Sequence, residues 1–312
     1  MPVGLTVSSR LTALRADWQT VDPPRQPVLL INPRSGGGQA ARMDLAARAR
    51  DRGIEPVVLG ADGDLGQLVD AALDHGADAL GMAGGDGSLA LVAASAAERD
   101  IPFVCIPAGT RNHFALDLGI DRHDPIGALD AFRTGMERRI DMADVNGRPF
   151  LNNVSLGIYG EAVQDAGYRD AKLRTILKTM QEVLSSTAST PALRISDDRA
   201  NRHDSPLVVL VSNNPYALDE PLVQASRARL NTQRLGIVVM DPPGARRLAL
   251  REWTAPSLEV AASGLATVPA GVDGEAVPLQ PPLRFTTRPS ALRVRISSEH
   301  PGFSPAALLM PR

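Results

Sequence analysis

From about Pro27 to Asp144 the chain alternates short, unbroken apolar runs with stretches of helical period. The runs are "PVLLIN" (27–32), "EPVVLG" (55–60), "DALGMA" (78–83) and "IPFVCIP" (101–107). Apolar runs this short and without polar alternation predict strands covered on both faces. Between them, "QAARMDLAARARDR" and "SLALVAASAAER" predict helices, and Leu65, Leu68, Val69, Ala72 and Leu73 fall at i, i+3, i+4, i+7 and i+8 of another. Pro125 takes the first position of a further helix with Asp124 as its cap. Strands and helices in alternation predict a parallel sheet with helices on both faces.

After about Asn146 the pattern changes. "DVNGRPF" and "VDGE" carry Asn-Gly and Asp-Gly hairpin signals. "LVVLVSNN" (207–214), "LGIVVM" (235–240) and "LRVRIS" (292–297) predict strands, the last alternating Leu292, Val294 and Ile296 with Arg293 and Arg295. One helical stretch interrupts them at roughly 168–186. The expected fold is α/β: an N-terminal doubly wound nucleotide-binding domain (27–145) and a C-terminal, mostly antiparallel, β-sandwich-like domain (146–297). Residues 1–26 form an extension ending in the linker-like "VDPPRQP", and 298–312 a tail.

With 312 residues, 44% of them hydrophobic, the chain can bury the cores of two domains. A formal net charge of −2 argues against a nucleic-acid partner. The single cysteine, Cys105, lies in an apolar run and reads as a small buried hydrophobe in a reducing compartment. Neither a membrane-spanning run nor a secretory leader is evident, so a cytoplasmic location is expected. The only lysines are Lys172 and Lys178. That excludes the lysine-bearing P-loop and the protein-kinase strand lysine. A nucleotide would be held by backbone amides, arginine and a metal ion.

The chemistry concentrates in three turns after strands of the first half: "NPRSGGG" (32–38), "GGDGS" (84–88) and "PAGTRN" (107–112). In a doubly wound fold such turns share the carboxyl edge of the sheet, where ligands bind. Glycine admits an anion close to the backbone, and the helix that follows directs free N–H groups at it. Asp86, alone among glycines, suits a Mg²⁺ ligand or nucleotide contact, since magnesium prefers carboxylate plus phosphate oxygens. The plainer reading of "GGDGS" by itself is a strand-to-helix turn with Asp86 as cap.

In this order the three segments resemble the catalytic region of the diacylglycerol kinase family, which includes bacterial lipid kinases and sphingosine kinases. "NGRPFLNNVSLGIYGEAV" (146–163), "VSNNPYAL" (211–218) and "AGVDGEAV" (270–277) extend the resemblance over about 27–297. It implies an ATP- and Mg²⁺-dependent kinase acting on a lipid alcohol such as diacylglycerol, with its two domains flanking a cleft. Carried over, Asn32, Ser35 and Gly36 lie in the first phosphate turn, and Gly84, Gly85, Asp86, Gly87 and Ser88 form the nucleotide loop. Thr110 and Asn112 complete the phosphate site, Asp273 shapes its turn or touches the nucleotide, and Glu275 matches the general base. Without the resemblance, "VDGE" reads as a type I′ turn with an exposed Glu275. The chain departs from the pattern at Gly60 and Ala61, where threonine is common, and at His113, where aspartate is. Asn231 and Gln233 stand where relatives with a structural magnesium have aspartates, which argues against that second metal here.

His75, His123, His203 and His300 lack ligand spacing, so no zinc site is expected. Asn152 and Asn153 are expected to satisfy backbone groups near the domain junction. In 167–184, Leu173, Ile176, Leu177 and Met180 form an apolar stripe beside Arg169, Lys172, Arg174 and Lys178. That suits a helix packed on the β domain, or a peripheral contact with the inner face of a membrane. Two other functions remain open: an NAD kinase-like enzyme, which shares "GGDG", and a nucleotide- or lipid-binding protein without catalysis. Asn153 stands where NAD kinases place a glutamate, and retention of Asp86 and Glu275 argues for catalysis.

Overall fold

The computed structural model describes residues 7–157, 193–196, 202–204, 206, 208–218, 226–241 and 249–310. The segment 167–184 therefore lies outside the described residues. The chain divides into two compact units, one made of residues up to Ile140 and from Ala291 onward, the other of Asp141–Ser290.

In the first unit four strands, β2 (Pro27–Ile31), β3 (Glu55–Val58), β4 (Ala79–Gly84) and β5 (Phe103–Pro107), stand in the order β3-β2-β4-β5, all parallel. Every residue of β2, β4 and β5 is buried, as uninterrupted apolar runs require. After the short α2 (Gln39–Arg42), helices α3 (Leu45–Arg50), α4 (Leu65–Asp74) and α5 (Asp86–Glu98) cover the sheet. Asp64 caps α4 by accepting the N–H of Gln67, and Asp124 caps α7 (Pro125–Ala128) through Gly127, with Pro125 at the first helical position. The strand order reverses between β2 and β4, and ligands of open α/β sheets bind at such a reversal.

The strand containing 292–297 departs from expectation. It is the end of β17 (Leu283–Ser297), and it joins the first unit, where Val294 and Arg295 pair in parallel with Phe103 and Val104 of β5. Arg295 is consequently buried rather than solvent-facing. Its Nε donates to the Ala131 carbonyl (2.6 Å) and its Nη1 to the Asp22 carbonyl (2.9 Å) and to Glu137 (3.2 Å). Those partners make the burial tolerable, and an alternating pattern cannot reveal them.

Part of the N-terminal extension packs on the same unit. After helix α1 (Val7–Leu14), β1 (Gln19–Val21) pairs antiparallel with β6 (Gly135–Val145). Trp18 is buried, donates Nε1–H to the Gly302 carbonyl at 2.7 Å, and carries the Arg138 guanidinium 4.5 Å above its ring. Burial lowers the Arg138 pKa to about 10, and nearby Asp17 acts against that shift.

The second unit is antiparallel throughout its described strands. One sheet runs β13 (Ala249–Ala255), β12 (Leu235–Asp241), β11 (Val208–Asn213), β8 (Asn153–Gly157), β15 (Val268–Val272), β16 (Glu275–Leu279). The other contains β10 (Arg202–Asp204), β9 (Leu193–Ser196), β14 (Ser257–Ala262) and the start of β17. Residues from both, among them Val154, Val211, Ile237, Ile195, Val260 and Phe285, form one apolar core. Both hairpin signals are turns with two left-handed residues, Asn146-Gly147 (φ +52 and +79) before β7 (Arg148–Phe150) and Asp273-Gly274 (φ +47 and +90) before β16. This is the geometry that Asn-Gly and Asp-Gly favour.

Candidate functional site

The three turns of the first unit meet at the carboxyl ends of β2, β4 and β5. Asn32 ends β2 by donating its N–H to the Ala83 carbonyl of β4 (2.9 Å), and its Oδ1 accepts the N–H of Arg34 (3.0 Å). Gly36, Gly37 and Gly38 follow with φ of +58, +65 and +85. At Gly36 any side chain is excluded twice over, because its Cβ would also lie 2.6 Å from the Ala108 carbonyl oxygen of the third turn. A Cβ on Gly109, in turn, would lie 2.8 Å from Cα of Gly85 and 3.0 Å from the Gly84 carbonyl oxygen. First, second and third turns thus touch backbone to backbone, and glycine is what permits it.

Arginines brace the first turn. Arg42 donates to the carbonyls of Gly37 and Gly36, and Arg34 to that of Ala61, which ties the turn to the loop after β3. In the third turn Asn112 is buried at φ +53. Its Oδ1 accepts the N–H of Gly109 (2.9 Å) and its Nδ2 donates to the Gly109 carbonyl (3.0 Å), so the side chain shapes the turn. Thr110 is exposed at its tip.

Asp86, with Gly87 and Ser88, forms the first turn of the thirteen-residue α5, and all three are half-buried. The cap of α5 is Gly85, which makes no side-chain bond. The Asp86 carboxylate instead accepts the N–H of Phe114 (3.4 Å) at the start of α6 (His113–Leu118). It stands at a helix N-terminus among backbone amides, where negative charge is favoured. Its field reaches Cys105 in β5. Burial pushes the Cys105 thiol well above its ordinary pKa, and the Asp86 charge pushes it further.

In the second unit Glu275 is exposed as the first residue of β16, with Arg148 Nη2 at 3.7 Å from its Oε2. Asp273 is buried, and both its carboxylate oxygens accept backbone N–H groups, from Leu151 (2.7 Å), Asn152 (2.8 Å) and Asn153 (3.0 Å).

Around this hairpin lies a buried polar network whose charged members Arg227 and Asp141 had no role in the sequence reading. Arg227 is fully buried, donates to the carbonyls of Leu151 and Asn213 (2.7 Å for the latter) and to Asn152 Oδ1 (2.8 Å), and lies over the Tyr216 ring. Asn213 donates to the Asp141 and Leu151 carbonyls, and Asn214 accepts from the Thr232 N–H and hydroxyl. Asn152 and Asn153, expected to serve backbone groups, have side-chain partners instead: Arg227 for the first, the Tyr216 hydroxyl (3.0 Å) for the second. A fully buried Asp141 accepts the N–H of Gln233 (2.6 Å) and of Ser290 (2.9 Å). Gln233, at φ +59, thus meets Asp141 through its backbone. The doubled asparagines 152–153 and 213–214 were the available signal, because adjacent amides in strand-like contexts need partners.

The geometry agrees with what known proteins share with this chain. The family model "Diacylglycerol kinase catalytic domain" matches residues 26–145, which hold all three turns. A Pseudomonas aeruginosa protein named "Probable lipid kinase YegS-like" is 31% identical over 298 residues, covering 88% of this chain and 95% of its own. A Bacillus subtilis diacylglycerol kinase is 36% identical over 119 residues, 38% of each chain. Among solved structures, a diacylglycerol kinase from Bacillus anthracis str. Sterne superposes with a TM-score of 0.58 at 18% identity, over 91% of this chain and 98% of that one, and shares the fold. Turns, sheet order and relatives agree: the chain belongs to the diacylglycerol kinase catalytic-domain family.

Proposed function

We propose that this protein is an ATP-dependent lipid kinase that transfers the γ-phosphoryl group to the hydroxyl of a lipid alcohol such as diacylglycerol. The observation that carries the reading is the backbone contact of the three turns at the sheet reversal, with Asp86 heading α5. The backbone amides of these turns and the α5 terminus receive the phosphates, and Arg34 and the exposed Thr110 border them. None of the three turns contains a lysine.

Magnesium fits the donor set at the turns. Among the described residues no three acidic, histidine or cysteine side chains converge on a metal position. The ion would be held by Asp86 together with nucleotide oxygens, the mixed set that magnesium accepts. When bound it neutralises charge on the phosphates. The protein's own part is to position them and to supply the base. Glu275 accepts the proton of the lipid hydroxyl as phosphoryl transfer proceeds, with Arg148 beside it. The loose transition state places most of the demand on positioning and charge neutralisation.

The test is incubation of purified protein with labelled ATP, Mg²⁺ and a panel of lipid alcohols, beside Glu275→Gln and Asp86→Ala. Label is expected in a neutral lipid and strongly reduced in both variants. Transfer to NAD and to no lipid would replace the proposal with the NAD kinase-like reading.

A further inference from the structure

Glu275 opens β16 immediately after a two-residue turn, so the carboxylate stands wherever that turn is held. Aspartate in a turn ordinarily bonds its own backbone two residues on. Asp273 instead reaches 122 positions back to Leu151, and takes the N–H groups of three consecutive residues on its two oxygens. Its own N–H returns to the Asn153 carbonyl at 3.0 Å. The gripped segment is fixed a second time by Arg227, which holds the Leu151 carbonyl and Asn152 Oδ1. Leu151–Asn153 therefore lies between a buried carboxylate on its donors and a buried guanidinium on its acceptors. Peptide units polarised from both ends bond more strongly than neutral ones. The same segment continues back into β7, which carries Arg148 to 3.7 Å from Glu275.

We infer that Asp273 and Arg227 are positioning residues: a buried clamp on Leu151–Asn153 that fixes where the Glu275 carboxylate and Arg148 stand. The inference rests on the reading of Glu275 as general base. An exposed glutamate at a hairpin tip samples many positions, and misplacement of a reacting group by about 1 Å costs on the order of 100-fold in rate. The clamp supplies the rigidity that the exposed site does not.

Asp273→Asn keeps the shape but sets an amide donor against one of the three N–H groups. Arg227→Lys keeps the charge but removes the fork that reaches three oxygens at once. Each is compared with the unaltered protein and with Glu275→Gln, using labelled ATP, Mg²⁺ and dioctanoylglycerol micelles, with melting temperature measured in parallel. The expected result is a fall in kcat of about 100-fold for Asp273→Asn and about tenfold for Arg227→Lys, at unchanged KM for ATP. The residual rate of Asp273→Asn should climb with pH as that of Glu275→Gln does, since hydroxide replaces a displaced base. A role in stability alone would lower the melting temperature and leave kcat per folded molecule and the pH profile unmoved. If Asp273→Asn melts below the assay temperature, Arg227→Lys carries the comparison. Wild-type kcat in the folded variants, with Glu275→Gln impaired, overturns the clamp and leaves the base reading standing. Wild-type kcat in Glu275→Gln overturns the base reading and the inference together, and absence of transfer by the unaltered protein overturns the kinase reading beneath both.

Discussion

The two units build their candidate sites from opposite materials. In the first, backbone meets backbone: Gly36 against Ala108, Gly109 against Gly84 and Gly85, with side chains kept out so that peptide groups can approach. In the second, side chains meet in the interior: Asp273, Arg227, Asn152, Asn213 and Asp141 are all buried and hydrogen-bonded. A backbone cradle suits a ligand that is itself a row of anionic oxygens, because N–H groups recognise any such row. A base must stand at one point, and a buried network of directional bonds provides that. Enlargement should therefore damage the first site, and loss of a polar group the second.

The largest effect expected of that comparison falls on Glu275. Glu275→Gln should lower kcat by about 10²- to 10⁴-fold, the range for a general base, with ATP affinity unchanged in a titration. A loss confined to KM would place Glu275 in substrate binding instead. Next comes Arg227→Met, which takes the guanidinium donor from the buried Leu151 and Asn213 carbonyls and from Asn152 Oδ1. A destabilisation of about 3 kcal/mol is expected, read as a lower denaturant midpoint at unchanged slope. A shift below about 1 kcal/mol would mean that water replaces the guanidinium.

In the first unit the sharper contrast is between neighbours. Gly36→Ala should weaken binding of an ATP analogue by at least about tenfold, because left-handed φ costs about 1–2 kcal/mol before the contact with Ala108 is counted. Ser35→Ala should do less than Gly36→Ala, and the reverse order would show that a hydroxyl rather than the peptide backbone dominates this turn. The smallest effect concerns His300, which is buried in the first unit and has its pKa lowered from 6.5, burial outweighing the opposing pull of Asp124, Asp121, Asp130 and Glu299. The unfolded chain takes up this proton first, so the contribution is fully present above the unfolded value near 6.5 and is lost as pH falls below it. Between pH 7.5 and 5.5 the melting temperature should fall less in His300→Gln than in the unaltered protein. Identical falls would remove His300 from the pH response.

Legibility followed the same division. The strands of the doubly wound sheet were readable because β2, β4 and β5 are covered on both faces and apolar throughout. The turns were readable because only glycine combines left-handed φ with backbone contact. The two hairpins announced themselves through Asn-Gly and Asp-Gly, whose side chains tolerate that conformation. The alternation of 292–297 misled, since Arg295 breaks the rule that arginine faces solvent and does so through acceptors at positions 22, 131 and 137. Arg227 and Asp141 were invisible for a similar reason: nothing local marks a charged residue as buried.

What the chain's order of residues determined alone is local and repetitive: the period of each element, the glycines that let three turns close, and the absence of lysine from them. These follow from steric and hydrophobic rules that act within a few residues. Tertiary structure alone decided which polar groups leave water. Burial of a charge depends on partners brought from far along the chain, as Asp273 is by Leu151 and Arg227 by Asn213. Desolvation and its compensation are settled only when those partners meet.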